Sequence, residues 1–279
     1  MENPCQINIR GRLLSFDTPR VMGVINITPD SFYKGSRYTD EASILAAAGK
    51  MVGDGADFID IGGYSSRPGA ESVSEEEEKS RVLPAIKLVS SAFPQAVISV
   101  DTFRAAVARE AVDKCGAHII NDISGGEADR DMFPLIKELN VPYVLMHMQG
   151  TPSTMQKNPV YDDIVADILQ WFGKKIVELH ASGVKDIILD PGFGFGKTIA
   201  NNFELLRRLK EFSVPDLPVM AGLSRKSMIW KTLNITPSDS ANGTTVLNTI
   251  ALLNGADILR VHDVKEAKQA VELVAHLGK

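Results

Sequence analysis

"GADFIDIGG", residues 55–63, opens on a glycine, runs through a short apolar stretch and closes on a glycine-rich tip. The pattern returns as "GAHIINDIS" at 116–124, "SGVKDIILDPG" at 182–192 and "GADILRVHD" at 255–263. Each copy follows a helix-like segment, and its glycine suits the left-handed position just past a helix end. The β-branched run that follows is too apolar for a strand with one wet face. It predicts a parallel strand buried on both faces. One αβ unit is therefore used repeatedly.

Four further strand candidates lie between these copies: "VMGVINIT" (21–28), "AVISVDT" (96–102), "YVLMHM" (143–148) and "PVMAGLS" (218–224). Helix-length segments separate all eight. "TDEASILAAAGKMVGDG" has small and apolar residues at helical spacing. "SVSEEEEKSRVLPAIKLVSSA" starts with Ser74 and acidic residues, which suits a capped helix start and its dipole. Eight alternating strands and helices in 279 residues predict an α/β fold, a single (β/α)8 TIM barrel. An open doubly wound sheet is the alternative. "CQINIRGRLLSF" alternates and turns at Arg10-Gly11, so residues 1–20 read as an N-terminal β-hairpin at the barrel bottom. Residues 1–279 read as one domain.

With 44% hydrophobic and 23% charged residues the chain has a globular composition, and a formal charge of −5 supplies no basic field for nucleic acid. Two cysteines, Cys5 and Cys115, suit a reducing compartment and form no C-x-x-C pair. No signal peptide and no membrane-length apolar run are read, so the expectation is a cytoplasmic protein with small-molecule partners, no nucleic acid and no membrane.

A barrel of this kind builds its site at the C-terminal strand ends. Those ends carry Asn26 and Thr28; Ser65, Ser66 and Arg67; Asp101; Asn121 and Asp122; Met146 and His147; Asp190; Ser224, Arg225, Lys226 and Ser227; and Arg260, His262 and Asp263. Singly, many have a plain explanation. Asp122 and Asp263 read as turn formers, His147 as a hydrogen-bonded core histidine, and Lys197 with Thr198 as the start of the next loop and helix. Together they are chemically suggestive. Asp101, Asp190 and Asn121 can read a flat heterocycle that presents several N–H donors. Lys226 can partner these acids and donate to a ring carbonyl. Arg67, Arg260 and His262 make a positive group suited to phosphate. Asn26 can lend a neutral oxygen to Mg2+ held by phosphate oxygens.

"LDPGFGFGKT", residues 189–198, looks like a phosphate loop but has the wrong spacing. A P-loop would need glycine where Pro191 stands, and a dinucleotide fingerprint would need one where Lys197 stands. Asp190 is its more informative residue, and Gly192 and Gly194 are expected to let backbone approach a ligand.

The stretches "VMGVINITPDSF", "GADFIDIGG", "SSRPGAESVSEEEE", "ISVDT", "GAHIINDISG", "VLMHMQGTPSTMQ", "ILDPGFGFGK", "GLSRKSMI" and "GADILRVHDV" resemble the dihydropteroate synthase family of folate biosynthesis. The resemblance runs from about residue 20 to 277. It implies a transferase that joins hydroxymethyl-dihydropterin diphosphate to para-aminobenzoate, releases diphosphate and is a sulfonamide target. It implies pterin contacts from Asp101, Asn121, Met146, Asp190, Gly194 and Lys226. Diphosphate and Mg2+ contacts fall on Asn26, Ser66, Arg67, Arg260 and His262. Aminobenzoate contacts fall on Phe32, Arg67, Pro68, Phe195, Lys226 and Ser227. Asp101, Asn26, Arg67 and Lys226 are the expected catalytic set, and a homodimer built on the last helices is implied.

Two stretches depart from the family pattern. "SFYKGS" has Lys34 and Ser36 where the family has aspartate and glycine, and "YSSRPG" has Ser66 for threonine, which keeps the hydroxyl. A pterin-dependent methyltransferase and a non-catalytic pterin-binding protein are the alternative functions. The loops holding Phe32, Arg67 and Pro68 are rich in Gly, Ser and Pro and are expected to be mobile.

Overall fold

A computed structural model describes residues 5–27, 40–64, 73–151, 155, 159–214 and 217–277. Strands β1 (Gln6–Ile9) and β2 (Arg12–Ser15) pair antiparallel around Arg10 and Gly11, both at positive φ. Eight parallel strands follow: β3 (Arg20–Asn26), β4 (Phe58–Gly62), β5 (Val97–Asp101), β6 (Ile119–Asp122), β7 (Tyr143–Met146), β8 (Ile187–Asp190), β9 (Met220–Ala221) and β10 (Ile258–Val261). Their order is β8-β7-β6-β5-β4-β3-β10-β9. A parallel bridge between Leu189 and Val219 joins the two ends of that row, so the sheet closes into a barrel and is not open.

Helices α1 (Glu41–Gly53), α2 (Glu75–Ala92), α3 (Ala105–Glu110), α4 (Met132–Leu139), α5 (Ile164–Ser182), α6 (Ile199–Arg207), α7 (Ser227–Leu233), α8 (Ala241–Leu253) and α9 (Val264–Ala275) are interleaved with the strands. The Ser74 cap read from sequence is used, and Thr198, read only as the start of a loop and helix, adds a second cap. Ser74 accepts from the Glu77 N–H at 3.2 Å to start α2, and Thr198 makes a reciprocal capping box with Asn201 to start α6.

Inside the barrel, the inward face changes from apolar to polar over two residues on β4, β5, β6, β8 and β10, while β3 and β7 stay apolar with Val24 and Met146. Met22, Phe58, Ile119, Val144, Ile188, Met220 and Ile258, with Val97 beside them, form an apolar floor. The hairpin residues Ile7 and Ile9, with Phe16, pack against that floor from below. Successive inward positions are two residues apart. The layer above the floor therefore carries Asp60, Ser99, Asn121, Met146, Asp190 and Arg260. The dry floor lowers the local dielectric beneath that polar layer and strengthens its electrostatics.

The seventh barrel strand is shorter than "PVMAGLS" predicts. The ladder stops at Ala221, and Arg225 then turns the chain at φ 55°. That left-handed position is held by a double hydrogen bond from the Arg225 guanidinium to Asp263, 2.9 Å on each arm, and by donation to the Pro237 and Ser238 carbonyls. Asp263 is therefore an ion-pair partner that shapes the barrel rim, not merely the turn former expected from sequence.

Candidate active site

The strand ends converge on a buried charge cluster. Arg260, on β10, donates from Nε to Asp60 Oδ2 at 2.7 Å and from Nη2 to Asp101 Oδ2 at 2.6 Å. Asn121, on β6, donates from Nδ2 to the same Asp60 oxygen at 2.9 Å. Asp60 is fully buried and Asn121 nearly so. Across the mouth, the Asp190 carboxylate accepts from the Gly192 N–H at 2.7 Å. Lys226 donates to the Phe193 carbonyl, and its ammonium lies 4.8 Å from the centre of the Phe195 ring.

Burial controls the charges here. Desolvation pushes the Asp101 carboxyl up to about 7, against the lowering effect of Arg260. It raises Asp190 too, opposed by Lys226 and the Gly192 N–H. It lowers Lys226 to about 8 even though Asp190 favours the ammonium. Burial also works against the charge on Arg260, but Asp60 and Asp101 more than offset it and hold the guanidinium protonated. The mouth thus presents the Asp101 carboxyl, raised to about 7, beside a fixed cation, a setting associated with functional sites.

Asn26 ends β3 opposite Gly62, half-buried at the mouth, and its side-chain amide has no partner among the described residues. Met146 ends β7 and is buried. Ser227 is the first residue of α7. Phe32, Ser66, Arg67 and Pro68 lie outside the described residues, as do Lys34 and Ser36.

Several expectations need correction. His262 brings a hydrogen-bonded ring to the mouth, not a fixed charge. Burial, aided by Arg260, lowers it to about 4, and Ser224 Oγ holds its Nδ1 at 2.9 Å. It therefore offers a neutral imidazole. Arg260 does not stand apart from the ring-reading carboxylates but is bonded to one of them, Asp101. Gly192 serves backbone packing: at φ 73° a Cβ there would sit 2.0 Å from the His147 carbonyl oxygen. Gly194, at φ 82°, abuts the Lys226 side chain, with a Cβ meeting its Cδ at 3.3 Å.

Lys197 is more than a loop residue. It is buried, with Nζ 3.2 Å from His147 Nδ1 and 2.9 Å from the Phe195 carbonyl oxygen. His147 is the hydrogen-bonded core histidine expected, lowered to about 3 by burial and by Lys197. Asp122 also behaves as expected, accepting from the Ser124 and Gly126 N–H groups, with the Tyr143 hydroxyl added.

Asp60 is the residue that sequence reasoning missed. It sits in "FIDIG", a run read as uniformly apolar. The available signal was its inward register, two residues above Phe58 on the same face.

Comparison with known proteins is consistent with this geometry. The family model described as pterin binding enzyme matches residues 22–262. The dihydropteroate synthase of Escherichia coli (strain K12) is 43% identical over 267 residues, 95% of this chain and 94% of its own. The Yersinia pestis dihydropteroate synthase solved with a sulfonamide drug superposes with a TM-score of 0.93 at 42% identity, covering 98% of each chain. The Xanthomonas albilineans dihydropteroate synthase in complex with 7,8-dihydropteroate superposes with a TM-score of 0.88 at 36% identity, again over 98% of each.

Proposed function

The chain belongs to the pterin binding enzymes, among the dihydropteroate synthases, and from that premise we propose how its barrel mouth joins hydroxymethyl-dihydropterin diphosphate to para-aminobenzoate. The observation that carries the assignment of roles is the convergence of Asp101, Asn121 and Asp190 with Arg260 and Lys226 above an apolar floor.

Asp190 and Asn121 accept from the donor edge of the pterin, Asp101 and Lys226 bind its other polar positions, and Met146 and Gly194 line the ring. Arg260, His262 and Asn26 face the diphosphate with Ser66 and Arg67. Phe195, Lys226 and Ser227 line the aminobenzoate side with Phe32, Arg67 and Pro68. The carbon–oxygen bond to diphosphate breaks first, and its electron pair leaves with the phosphate. The aniline nitrogen then attacks the cationic methylene and releases a proton. Fixed positive charge on Arg260 stabilises the departing anion, and the Asp101 carboxylate stabilises the methylene cation. A carbocation needs no strong base to make the aniline attack.

The donor set suits Mg2+ brought in with the diphosphate. Among the described residues no cluster of three His, Cys, Asp or Glu could hold a metal alone. Asn26 would supply one hard oxygen, and Mg2+ commonly takes few protein ligands plus phosphate oxygens and water. When bound, Mg2+ neutralises charge on the leaving diphosphate.

The chain forms a homodimer through its last helices. In support, Val246, Ile250 and Leu253 make an exposed apolar stripe on α8, with exposed Leu273 on α9. We read residues 1–279 as one domain and the protein as cytoplasmic; no described helix is long and apolar enough to cross a membrane. Incubation with both substrates, followed by mass detection of dihydropteroate, tests the reading. Intact substrates after prolonged incubation would refute it.

A further inference from the structure

We propose that Asp60 is a positioning residue for pterin recognition: it turns the Asn121 amide so that the carbonyl oxygen, not the NH2, faces the ring. The proposal rests on the reading of the mouth as a pterin site and adds to it a residue that does not itself touch the ligand.

The geometry is lopsided. Asp60 Oδ2 takes Arg260 Nε at 2.7 Å, Arg260 Nη2 at 2.6 Å and Asn121 Nδ2 at 2.9 Å. Asp60 Oδ1 is buried and has no hydrogen-bond partner among the described residues. Ser99, opposite Asp60 in the β4–β5 register, is likewise buried with an unpartnered Oγ. A buried carboxylate oxygen without a donor costs stability. Directly beneath, the floor shows that this barrel packs well with apolar side chains alone. Asp60 is therefore a poor way to fill the wall, and its value lies in what Oδ2 holds.

Of its two partners, Arg260 keeps a second carboxylate in Asp101, 2.6 Å away. Asn121 has no second hold. Its only side-chain hydrogen bond among the described residues is Nδ2 to Asp60, and its Oδ1 is not among the atoms sealed from solvent without a partner. The oxygen is thus the end of the amide left with solvent contact and without a partner among the described residues. An asparagine can present either end, one a donor and the other an acceptor. Without Asp60 the amide can rotate, and an NH2 aimed at a ring N–H would set donor against donor.

Asn at position 60 separates this role from a structural one. Its amide oxygen can occupy the place of Oδ2 and still accept from Asn121 and Arg260. Its NH2 falls where Oδ1 now has no partner among the described residues. Ala at position 60 removes the acceptor. The probe is 6-hydroxymethylpterin, titrated by calorimetry into wild type, Asp60→Asn, Asp60→Ala, Asn121→Ala and the Asp60→Ala/Asn121→Ala double variant, with each protein's melting curve recorded.

Asp60→Asn should bind within about threefold of wild type and Asp60→Ala about tenfold or more weakly. In the Asn121→Ala background, Asp60→Ala should add less than about threefold, because the group it positions is already gone. In turnover, Asp60→Ala should raise the KM for the pterin substrate and leave the KM for aminobenzoate unchanged. Equal binding by Asp60→Asn and Asp60→Ala, or an undiminished loss in the Asn121→Ala background, would overturn the proposal. If Asp60→Ala gives no cooperative melt, Asp60→Ser takes its place in the same comparison. Wild type that fails to bind the probe would instead refute the pterin-site reading itself.

Discussion

Arg260 Nη2 lies 2.6 Å from Asp101 Oδ2, although β10 and β5 are separated in the sheet by β3 and β4. The contact spans the barrel mouth beside Gly62 on β4, where a Cβ would lie 3.2 Å from Asp101 Cβ and crowd that carboxylate. It makes the charge of Asp101 depend on a residue far away in sequence.

Replacing Arg260 by Met removes the group that lowers the Asp101 pKa, while the burial that raises it remains. The carboxyl then climbs above its present value of about 7 and is protonated at neutral pH. The acid limb of the kcat/KM profile should move to higher pH, with activity near pH 7 down by about 100-fold. An unmoved limb would mean that Arg260 does not govern this carboxylate.

Asp190→Asn puts a donor where the Gly192 N–H and the pterin edge both need an acceptor. Loss of the buried carboxylate should weaken pterin binding by about 1–3 kcal/mol, readable by calorimetry with a pterin analogue. Unchanged affinity would remove Asp190 from the ring site.

Lys197 titrates at about 7 in the folded protein against its ordinary 10.5, because burial disfavours its charge. Between those values the unfolded chain holds more protons than the native one, so the contribution of Lys197 to stability rises with pH across that window. The slope is at most about 1.4 kcal/mol per pH unit. Urea unfolding at pH 7 and pH 9.5 should therefore show a gain with pH in wild type that is smaller in Lys197→Met. Identical pH dependence in the two proteins would show that Lys197 is not buried as a neutral amine.

The barrel was legible because its strands announce themselves locally: four follow a glycine past a helix, and all eight are apolar runs that end on a polar or functional tip. The position of Asp101, Asn121 and Asp190 at the strand ends follows from that pattern alone. Which partners meet across the mouth does not, because pairing of Arg260 with Asp60 and Asp101 depends on closure of the barrel. Asp60 was hidden by its apolar neighbours. Lys197 was hidden because a lysine beside a capping threonine reads as surface, whereas the tight approach of Gly192 to His147 draws that segment inward.

A sulfonamide should inhibit this chain competitively against aminobenzoate, since both carry an aniline ring and would use the Phe195, Lys226 and Ser227 side of the mouth. Initial-rate measurements should show inhibition relieved by excess aminobenzoate. Inhibition that no excess relieves would contradict the assignment.

Ile250→Glu places a charge at the centre of the exposed α8 stripe. Sedimentation should show the wild-type dimer shifted toward monomer, with the melting curve of the subunit little changed. A wild-type monomer, or a dimer indifferent to the substitution, would rule out that face as the interface.

The central claim is a two-substrate substitution in which diphosphate leaves and aminobenzoate is captured. The direct measurement is steady-state diphosphate release with pterin diphosphate, aminobenzoate and Mg2+, omitting each organic substrate in turn. Sustained release is expected only when both are present, matched one-to-one by dihydropteroate formed. Sustained release without aminobenzoate, or no release with both present, would contradict it.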